Sequence, residues 1–363
     1  MKLLDQDYFF MAQAIAIAKK GQGKTHPNPC VGALVVHNGM IVGEGFHEKS
    51  GSAHAEVIAL NNAGNKTQSS TLFVTLEPCS HYGKTPPCIN TIIDAGVSRV
   101  VIGMRDPNPL VDGQGLKALK DVGIETYLGL LEDECIKINE GFFYRFKKGR
   151  PFIRTKIASS LDGHTALESG ESKWITSDAS RQDVQFWRAK SSAILTGVGT
   201  VNVDNPNLEV IDWSDDDQPK RIILDSQLRI HPESHLLKKK NTYVCYCDDP
   251  NSKLNLLKKS HAQFVELKKN NQQISFDSLI EFMMTLELND ILVEAGPTLN
   301  GSLLQAGLID EFVFYVSPTL LGGNAMNIFN LPVLKKMDEK IKLRFNDIRQ
   351  FDQDIRIISR IDK

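Results

Sequence analysis

Two successive α/β domains are the fold this sequence predicts. Three observations carry the prediction. The chain has 363 residues, more than one hydrophobic core ordinarily holds. Strand-like apolar runs alternate with helix-periodic stretches through both halves. A breaker cluster, Gly149-Arg150-Pro151, separates the halves. The domains are placed at residues 1–146 and 147–363. Apolar residues make up 41%, enough for two ordinary cores.

In the first domain, residues 7–20 read as an amphipathic helix with Phe10, Ala14, Ile17 and Ala18 on one side. Strand-like runs at 31–36 and 40–46 flank His37-Asn38-Gly39, a hairpin signal. A helix follows over 54–63, then a short apolar strand, 70–76, that delivers Glu77-Pro78-Cys79. Next come a helix at 88–95, a strand at 97–103, a helix at 115–122 and a strand at 124–128. Residues 132–148 predict one connecting helix that turns basic at its end. Strands alternating with helices imply a sheet sandwiched by helices. The second half repeats the alternation, with strands at 152–158, 193–196, 221–224, 242–247, 290–294 and 311–316. Helices at 179–190 and 298–306 stand among them.

The chemistry of the first domain is concentrated in His54-Ala55-Glu56, Pro78-Cys79 and Cys88. One histidine and two cysteines are three zinc ligands. Structural zinc normally closes with four, whereas catalytic zinc keeps one position for water, and zinc-bound water can lose a proton near neutral pH. Glu56 is then free to move protons. The set matches zinc-dependent base deaminases, whose signature reads H-x-E then P-C-x-x-C, with the Glu as acid/base. Here the cysteines bracket eight residues, Ser80 to Pro87, rather than two. Gly83, Pro86 and Pro87 permit that insert to loop out. Within it, His81 is the one nearby candidate for a fourth ligand in a purely structural site. Helix starts at 54 and 88 place the ligand segments where the dipole favours thiolates.

The second half carries two glycine turns after strands, Gly197-Val198-Gly199-Thr200 and Glu294-Ala295-Gly296-Pro297-Thr298. Glycine lets a backbone approach a ligand, and helix-start N–H groups bind phosphate. The first turn gives G-x-G, but the sixth position is Asn202, so the dinucleotide fingerprint is incomplete. Leu320-Leu321-Gly322-Gly323 is a third such turn. Formal net charge is −2, and residues 1–146 hold 13 Lys+Arg against 15 Asp+Glu. No basic field draws this chain to nucleic acid or anionic membrane. No apolar run approaches the roughly 20 residues of a membrane span, and the first ten residues lack a signal-peptide layout. Six cysteines are too few for a disulfide framework, which points to a reducing cytoplasm.

Longer strings sharpen the reading. The first domain contains His26-Pro27-Asn28-Pro29-Cys30-Val31-Gly32, Gly45-Phe46-His47 and the run from Glu77 to Cys88. The second contains the run Lys156 to Gly163, Ser172-Lys173-Trp174-Ile175-Thr176, Asp204-Asn205-Pro206, Leu224-Asp225-Ser226 and Val293 to Leu299. On these strings the chain resembles, over nearly its whole length, the bifunctional deaminase–reductases of riboflavin biosynthesis. The resemblance implies a cytidine-deaminase-like zinc domain followed by a dihydrofolate-reductase-like α/β domain that binds NADPH without the glycine fingerprint. It implies one zinc on His54, Cys79 and Cys88, with Glu56 catalytic and Lys156 a polar group at the reacting sugar. Ala158, Trp174, Thr200, Asp204, Ser226, Gly296, Pro297 and Thr298 match cofactor positions. Ser172, Arg188, Leu208 and Glu294 match substrate positions, joined in the first domain by Asn28 and His47, with His26 and His81 as further contacts. The implied substrate is a small phosphorylated pyrimidine, met by a cytoplasmic homo-oligomer without nucleic-acid or membrane partners.

Two positions depart from the family pattern. Ala53 stands where proline commonly precedes His-Ala-Glu, and Ile211 stands where an arginine would suit the substrate phosphate. The phosphate is therefore assigned mainly to Arg188. Two other functions compete: a nucleic-acid base deaminase with an accessory domain, and a zinc-stabilised binding module. The absence of a clustered basic patch opposes the first. Glu56 at the catalytic spacing opposes the second.

Overall fold

Unbroken apolar runs become the inner strands of both sheets. Leu72, Phe73, Val74 and Leu76 leave a strand little polar surface to show, which suits burial on both faces, and every residue of Thr71–Leu76 after the first is buried. The computed structural model describes residues 3–80 and 86–362. His81, Tyr82, Gly83 and Lys84 lie outside them. The chain divides into two units, Met1–Gly149 and Arg150–Lys363.

The first unit carries strands β1 (Gly32–His37), β2 (Met40–Phe46), β3 (Thr71–Leu76), β4 (Arg99–Met104) and β5 (Glu125–Leu128). Among the described residues they form one sheet in the order β2-β1-β3-β4-β5. β1 runs antiparallel to both neighbours, and β3, β4 and β5 are parallel. Its helices are α1 (Asp5–Ala18), α2 (Ala55–Ala63), α3 (Cys88–Asp94), α4 (Gln114–Asp121), α5 (Glu132–Ile138) and α6 (Glu140–Lys148). The approach of α2 to the sheet decides where the site lies. A Cβ at Gly43 would come within 2.2 Å of the Ala59 carbonyl, and one at Gly45 within 2.5 Å of the Ala55 carbonyl. Only glycine lets this helix rest directly on β2.

The single helix expected over 132–148 is two. It breaks at Asn139, whose φ of −119° and ψ of 25° lie outside the helical region. The physical reason is a tertiary clamp: the Asn139 side chain accepts from Cys30 N at 2.7 Å and donates to Cys30 O at 2.8 Å. Two satisfied buried backbone groups outweigh the continuity of one helix.

The second unit adds β6 (Phe152–Ser160), β7 (His164–Ala166), β8 (Ala193–Gly197), β9 (Lys220–Leu224), β10 (Thr242–Tyr246), β11 (Gln263–Glu266), β12 (Lys269–Asn270), β13 (Gln273–Ile274), β14 (Asp290–Val293), β15 (Glu311–Ser317), β16 (Met326–Asn327), β17 (Leu343–Phe351) and β18 (Asp354–Ile361). Its main sheet runs β11-β10-β9-β8-β14-β6-β15-β18-β17. It is parallel from β11 through β15; β18 and β17 then run antiparallel. The helices are α7 (Asp178–Lys190), α8 (Val198–Asp204), α9 (Leu254–Leu257), α10 (Phe276–Thr285) and α11 (Pro297–Gln305). The β17–β18 hairpin was not anticipated. Its burial alternates poorly because one of its faces is largely solvated.

On the α7 face of this sheet lies a buried ion cluster. Glu311 accepts from Arg154 Nε at 2.6 Å and from Arg360 Nη2 at 2.8 Å. The Arg154 guanidinium lies against the rings of Phe152 and Trp187. Burial alone would raise the Glu311 carboxyl, but Arg154 and Arg360 overcome it and hold the pKa down to about 2. A depressed carboxyl pKa stabilises the fold above its unfolded value, and that stability disappears as pH falls toward the folded value. Glu311→Gln should therefore flatten the loss of stability between about pH 4.5 and pH 2. At neutral pH it should cost about 3–5 kcal/mol, because Arg154 is left buried without its partner. Denaturant titrations at several pH values read both effects; an unchanged acid limb would refute the role of this cluster.

Candidate active sites

Three ligand-type residues converge in the first unit. His54 caps α2 from extended backbone, at φ −77° and ψ 160°. Cys88 is the first residue of α3, and Cys79 follows the end of β3. His54 Nδ1 lies 3.0 Å from Cys88 Sγ and 3.6 Å from Cys79 Sγ. All three ligand atoms fall within 4.8 Å of one another. A tetrahedral zinc with one imidazole and two thiolate ligands sets a nitrogen–sulfur edge of roughly 3.6 Å, so this donor set fits zinc. A hydrogen bond from Cys88 pulls the Cys79 thiol down to about 4 against its burial, with His54 assisting. The Cys88 thiol is pushed up in return. The downward pull on the Cys79 thiol favours the thiolate form that a divalent metal takes as ligand.

Glu56 sits in the first turn of α2, almost wholly buried. Burial pushes its carboxyl up, and the neighbouring His54 opposes that. A carboxyl so placed can hold a proton and give it back. His47 is buried edge-on against the His54 ring, with centroids 5.3 Å apart. Its Nδ1 lies 3.2 Å from the Ala53 carbonyl and its Nε2 lies 3.0 Å from Asn28 Nδ2. A carbonyl only accepts and an amide NH2 only donates, so the ring is neutral with its proton on Nδ1. Burial and the neighbouring His54 keep its pKa low. Asn28 and His47 thus join the ligand cluster. His26 lies on the same loop as Asn28, and His81 is outside the described residues.

Sequence reasoning passed over Glu77 as a structural element. Its carboxylate accepts from Gly113 N at 3.0 Å, Leu116 N at 3.1 Å and Asp106 N at 3.4 Å. That carboxylate pins the start of α4 to the strand end that presents Cys79. A Cβ at Gly115 would come within 2.1 Å of the Pro78 carbonyl. The Glu immediately before Pro78-Cys79 was visible in the sequence; its three backbone partners, nearly thirty or more positions away, were not.

In the second unit a cleft of about 1870 Å³ opens along one edge of the main sheet. It is lined by Lys156, Ala158, Ser172, Trp174, Arg188, Thr200, Asp204, Leu208, Ser226, Glu294, Gly296, Pro297 and Thr298. These are all of the candidates named for this half. Burial lowers the Lys156 pKa, and Glu294 opposes that. Trp174 is not a core aromatic: it is 70% exposed, and the Arg181 guanidinium stacks on it, 4.3 Å from the ring centroid. Arg181 also donates to the Thr176 carbonyl at 2.5 Å. Leu208 is buried with φ at 47°, a left-handed backbone that an apolar residue rarely adopts. The helix after Glu294 is capped by Gly296, with Pro at its first position, and not by Glu294.

Arg188, to which the sequence assigns the phosphate, lines the cleft with its guanidinium engaged inside the chain. Glu294 accepts from Arg188 Nε at 2.6 Å and from Nη2 at 3.0 Å, while Nη1 donates to the Glu209 carbonyl at 3.1 Å. A guanidinium already matched by a bidentate carboxylate has little charge to offer an anion. Burial raises the Glu294 carboxyl, but Arg188 and Lys156 outweigh it and hold it ionised. Arg188 therefore orients Glu294. Ile211 faces the cleft and its N–H donates to Gln185 Oε1 at 3.0 Å.

Comparisons with known proteins follow the same division. The model of the "Cytidine and deoxycytidylate deaminase zinc-binding region" matches residues 4–104. The model of the "RibD C-terminal domain" matches residues 151–357. The chain is 43% identical to the riboflavin biosynthesis protein RibD of Escherichia coli K12, over 96% of this chain and 98% of that protein. It is 39% identical to the Aquifex aeolicus protein of the same name, over 97% of each. Among solved structures, an Acinetobacter baumannii RibD superposes with a TM-score of 0.92 at 42% identity, covering 99% of this chain and 100% of that one. A Thermotoga maritima diaminohydroxyphosphoribosylaminopyrimidine deaminase/5-amino-6-(5-phosphoribosylamino)uracil reductase superposes at 0.85 with 33% identity, covering 98% of each.

The Arg188–Glu294 pair has a measurable consequence. Arg188→Ala leaves a buried carboxylate unmatched, at about 3–5 kcal/mol, so the melting temperature should drop on the order of 10 °C. Adding Glu294→Gln should recover most of that drop. An unchanged melting temperature in the single variant would show that Arg188 is free for other work.

Proposed function

Because the chain belongs to the RibD family of bifunctional riboflavin-biosynthesis enzymes, we propose that the two sites carry its two reactions in turn. The first unit replaces the 2-amino group of 2,5-diamino-6-(5-phosphoribosylamino)pyrimidin-4(3H)-one with oxygen, consuming water and releasing ammonia. The second reduces the ribosyl group of the resulting 5-amino-6-(5-phosphoribosylamino)uracil to a ribityl chain. The observation that carries this reading is the convergence of His54, Cys79 and Cys88 beside the buried Glu56, in a chain whose second unit gathers every reductase candidate on one cleft.

In the deaminase unit, His54 Nδ1 and the sulfurs of Cys79 and Cys88 would hold zinc. When bound there, zinc lowers the pKa of a water toward neutrality. Glu56 accepts the proton of the attacking water and delivers it to the departing ammonia, as its raised carboxyl pKa allows. The Asn28–His47–Ala53 chain fixes the Asn28 amide, leaving its oxygen to accept from the pyrimidine's amino edge. In the reductase unit the cleft would hold NADPH, which would supply the hydride. Trp174, Thr200, Asp204 and Ser226 wall its binding site, along with Ala158. The N–H groups in the first turn of α11 after Pro297, starting with Thr298, suit its phosphates; Pro297 itself has no N–H to offer. Lys156 and Glu294 hold the sugar at the other side, with Ser172 and Leu208 shaping the pocket and Arg188 keeping Glu294 in place.

Glu56→Gln should retain one zinc per chain and lose deamination by roughly 10² to 10⁴-fold. NADPH oxidation on the deaminated substrate should survive, because it belongs to the other unit. Cys88→Ser should lose the metal, read by elemental analysis, together with ammonia release. Full metal content and full deamination in Cys88→Ser would overturn the ligand assignment. Loss of both activities in folded Glu56→Gln would overturn the separation of the two sites.

A further inference from the structure

Two glycine turns face one another where β6 and β15 end. The two strands pair in parallel as far as Ser160 and Ser317. Beyond that point each chain segment turns through a glycine with left-handed backbone, Gly163 at φ 83° and Gly322 at φ 90°. One carboxylate joins the turns. Asp162 accepts from Leu321 N at 3.1 Å and Gly322 N at 2.9 Å on the far turn, and from Ser160 Oγ at 2.5 Å on its own strand. The side chain is exposed, yet these donors, Ser160 first, hold its pKa down to about 2. Asp162 therefore stays ionised throughout the neutral range.

A strap follows the second turn. Its residues Ala325, Met326, Asn327 and Ile328 line the cleft. Its middle is held loosely. β16 and β7 form a ladder of Met326 with Ala166 and Asn327 with His164, with a register break between the pairs. Met326 and Asn327 are both exposed, and the Asn324–Glu168 bond is long, at 3.5 Å, and exposed. A segment with so little buried contact belongs to the low-stability part of a fold, so its place is set at its ends. One end is fixed at α11, where Phe329 joins the core. There Asn330 N donates to the Pro297 carbonyl at 3.0 Å, and Asn330 Nδ2 to Thr298 Oγ1 at 3.1 Å. At the other end, the backbone bond from Leu161 N to Thr319 O stops short of the strap. Asp162 reaches further, to Gly322.

We propose that Asp162 is the latch of this strap and thereby a positioning residue for the reductase. Asp162 is not among the residues that line the cleft. It acts through the strap, keeping residues 325–328 in the wall that a bound dinucleotide meets. The same strand end continues from Lys156 and Ala158 of β6, which line that cleft too, so the latch holds the strap against the strand that carries them. This role rests on the reading of the cleft as the dinucleotide site. If the unlatched strap is in place about a tenth of the time, the apparent dissociation constant for the cofactor rises about tenfold, because only the competent fraction binds. Saturating cofactor restores the competent state, so the maximal rate changes little.

Titrating NADPH into the full chain and following its fluorescence tests the latch. The wild type should bind. Asp162→Ala should raise the dissociation constant about tenfold, raise the KM for NADPH in step, and leave kcat within about threefold. Asp162→Asn, which keeps an acceptor oxygen for Gly322 N, should fall between. Gly322→Ala leaves Asp162 in place but strains the turn at its positive φ, and should weaken NADPH in the same direction. Hydrogen exchange in Asp162→Ala should quicken at residues 320–328 and stay unchanged in β8 and β14. A wild type that does not bind NADPH would overturn the reading of the cleft, and the latch with it. A wild type that binds, with Asp162→Ala binding equally well, would overturn the latch alone. Faster exchange throughout the sheet, or a lower kcat at unchanged KM, would make Asp162 a general support of the fold and overturn the latch too.

Discussion

Three buried carboxylates in this chain are matched by donors, and the matches tie distant segments together. An unmatched buried charge costs several kcal/mol, a large part of a domain's net stability. Glu77 is satisfied by three backbone N–H groups around the start of α4. Glu294 is satisfied by Arg188, and Glu311 by Arg154 and Arg360. Each match fixes a segment that a site needs. Glu77 secures the strand end bearing Cys79, and Glu294 is itself a wall of the reductase cleft.

The two sites use this constraint differently. In the first unit, burial without full matching is the useful condition. Glu56 has its carboxyl pushed up by burial, so it is poised to exchange a proton. In the second unit the ionised groups are locked. Arg188 and Glu294 form a rigid bidentate pair next to Lys156, which gives the cleft fixed dipoles in place of mobile water. Hydrolysis needs a group that gains and loses a proton. Hydride delivery to a sugar needs a group that stays in place.

Legibility in the sequence followed distance along the chain. The order His54, Glu56, Cys79, Cys88 was readable because zinc chemistry restricts residue types, and because the three ligands stand at helix starts or just past a strand end. Most strands were readable as apolar runs, with boundaries off by a residue or two. The break at Asn139 was hidden, since it answers to Cys30, 109 positions earlier. The neutralisation of Arg188 was hidden for the same reason: Glu294 lies 106 positions away. The β17–β18 hairpin gave no clean alternation, because one face is polar and tied to α7 while the other is apolar and partly bare. Ile211 was noticed from pattern alone, yet only the cleft shows that its position faces the ligand space.

One carboxylate near the end of the chain bears on how the protein is made. Asp354 Oδ2 accepts from Ser177 N at 2.7 Å, Ser177 Oγ at 2.8 Å and Ser180 Oγ at 2.6 Å, and Ser177 caps α7 directly after the Ser172–Thr176 wall of the cleft. β6, near the middle of the main sheet, pairs only with β14 and β15, well over a hundred residues on. A ribosome releasing this chain therefore offers a first unit with all its partners by residue 149. The second unit must wait. Its central strand stays unpaired until β14 and β15 have been made, and its cleft wall stays unanchored until Asp354 has followed. Domains emerging from the ribosome generally fold as units, first one first. Here the deaminase half can mature first, and the reductase half only once β14, β15 and Asp354 have followed, with β6 exposed as an open edge in the interval.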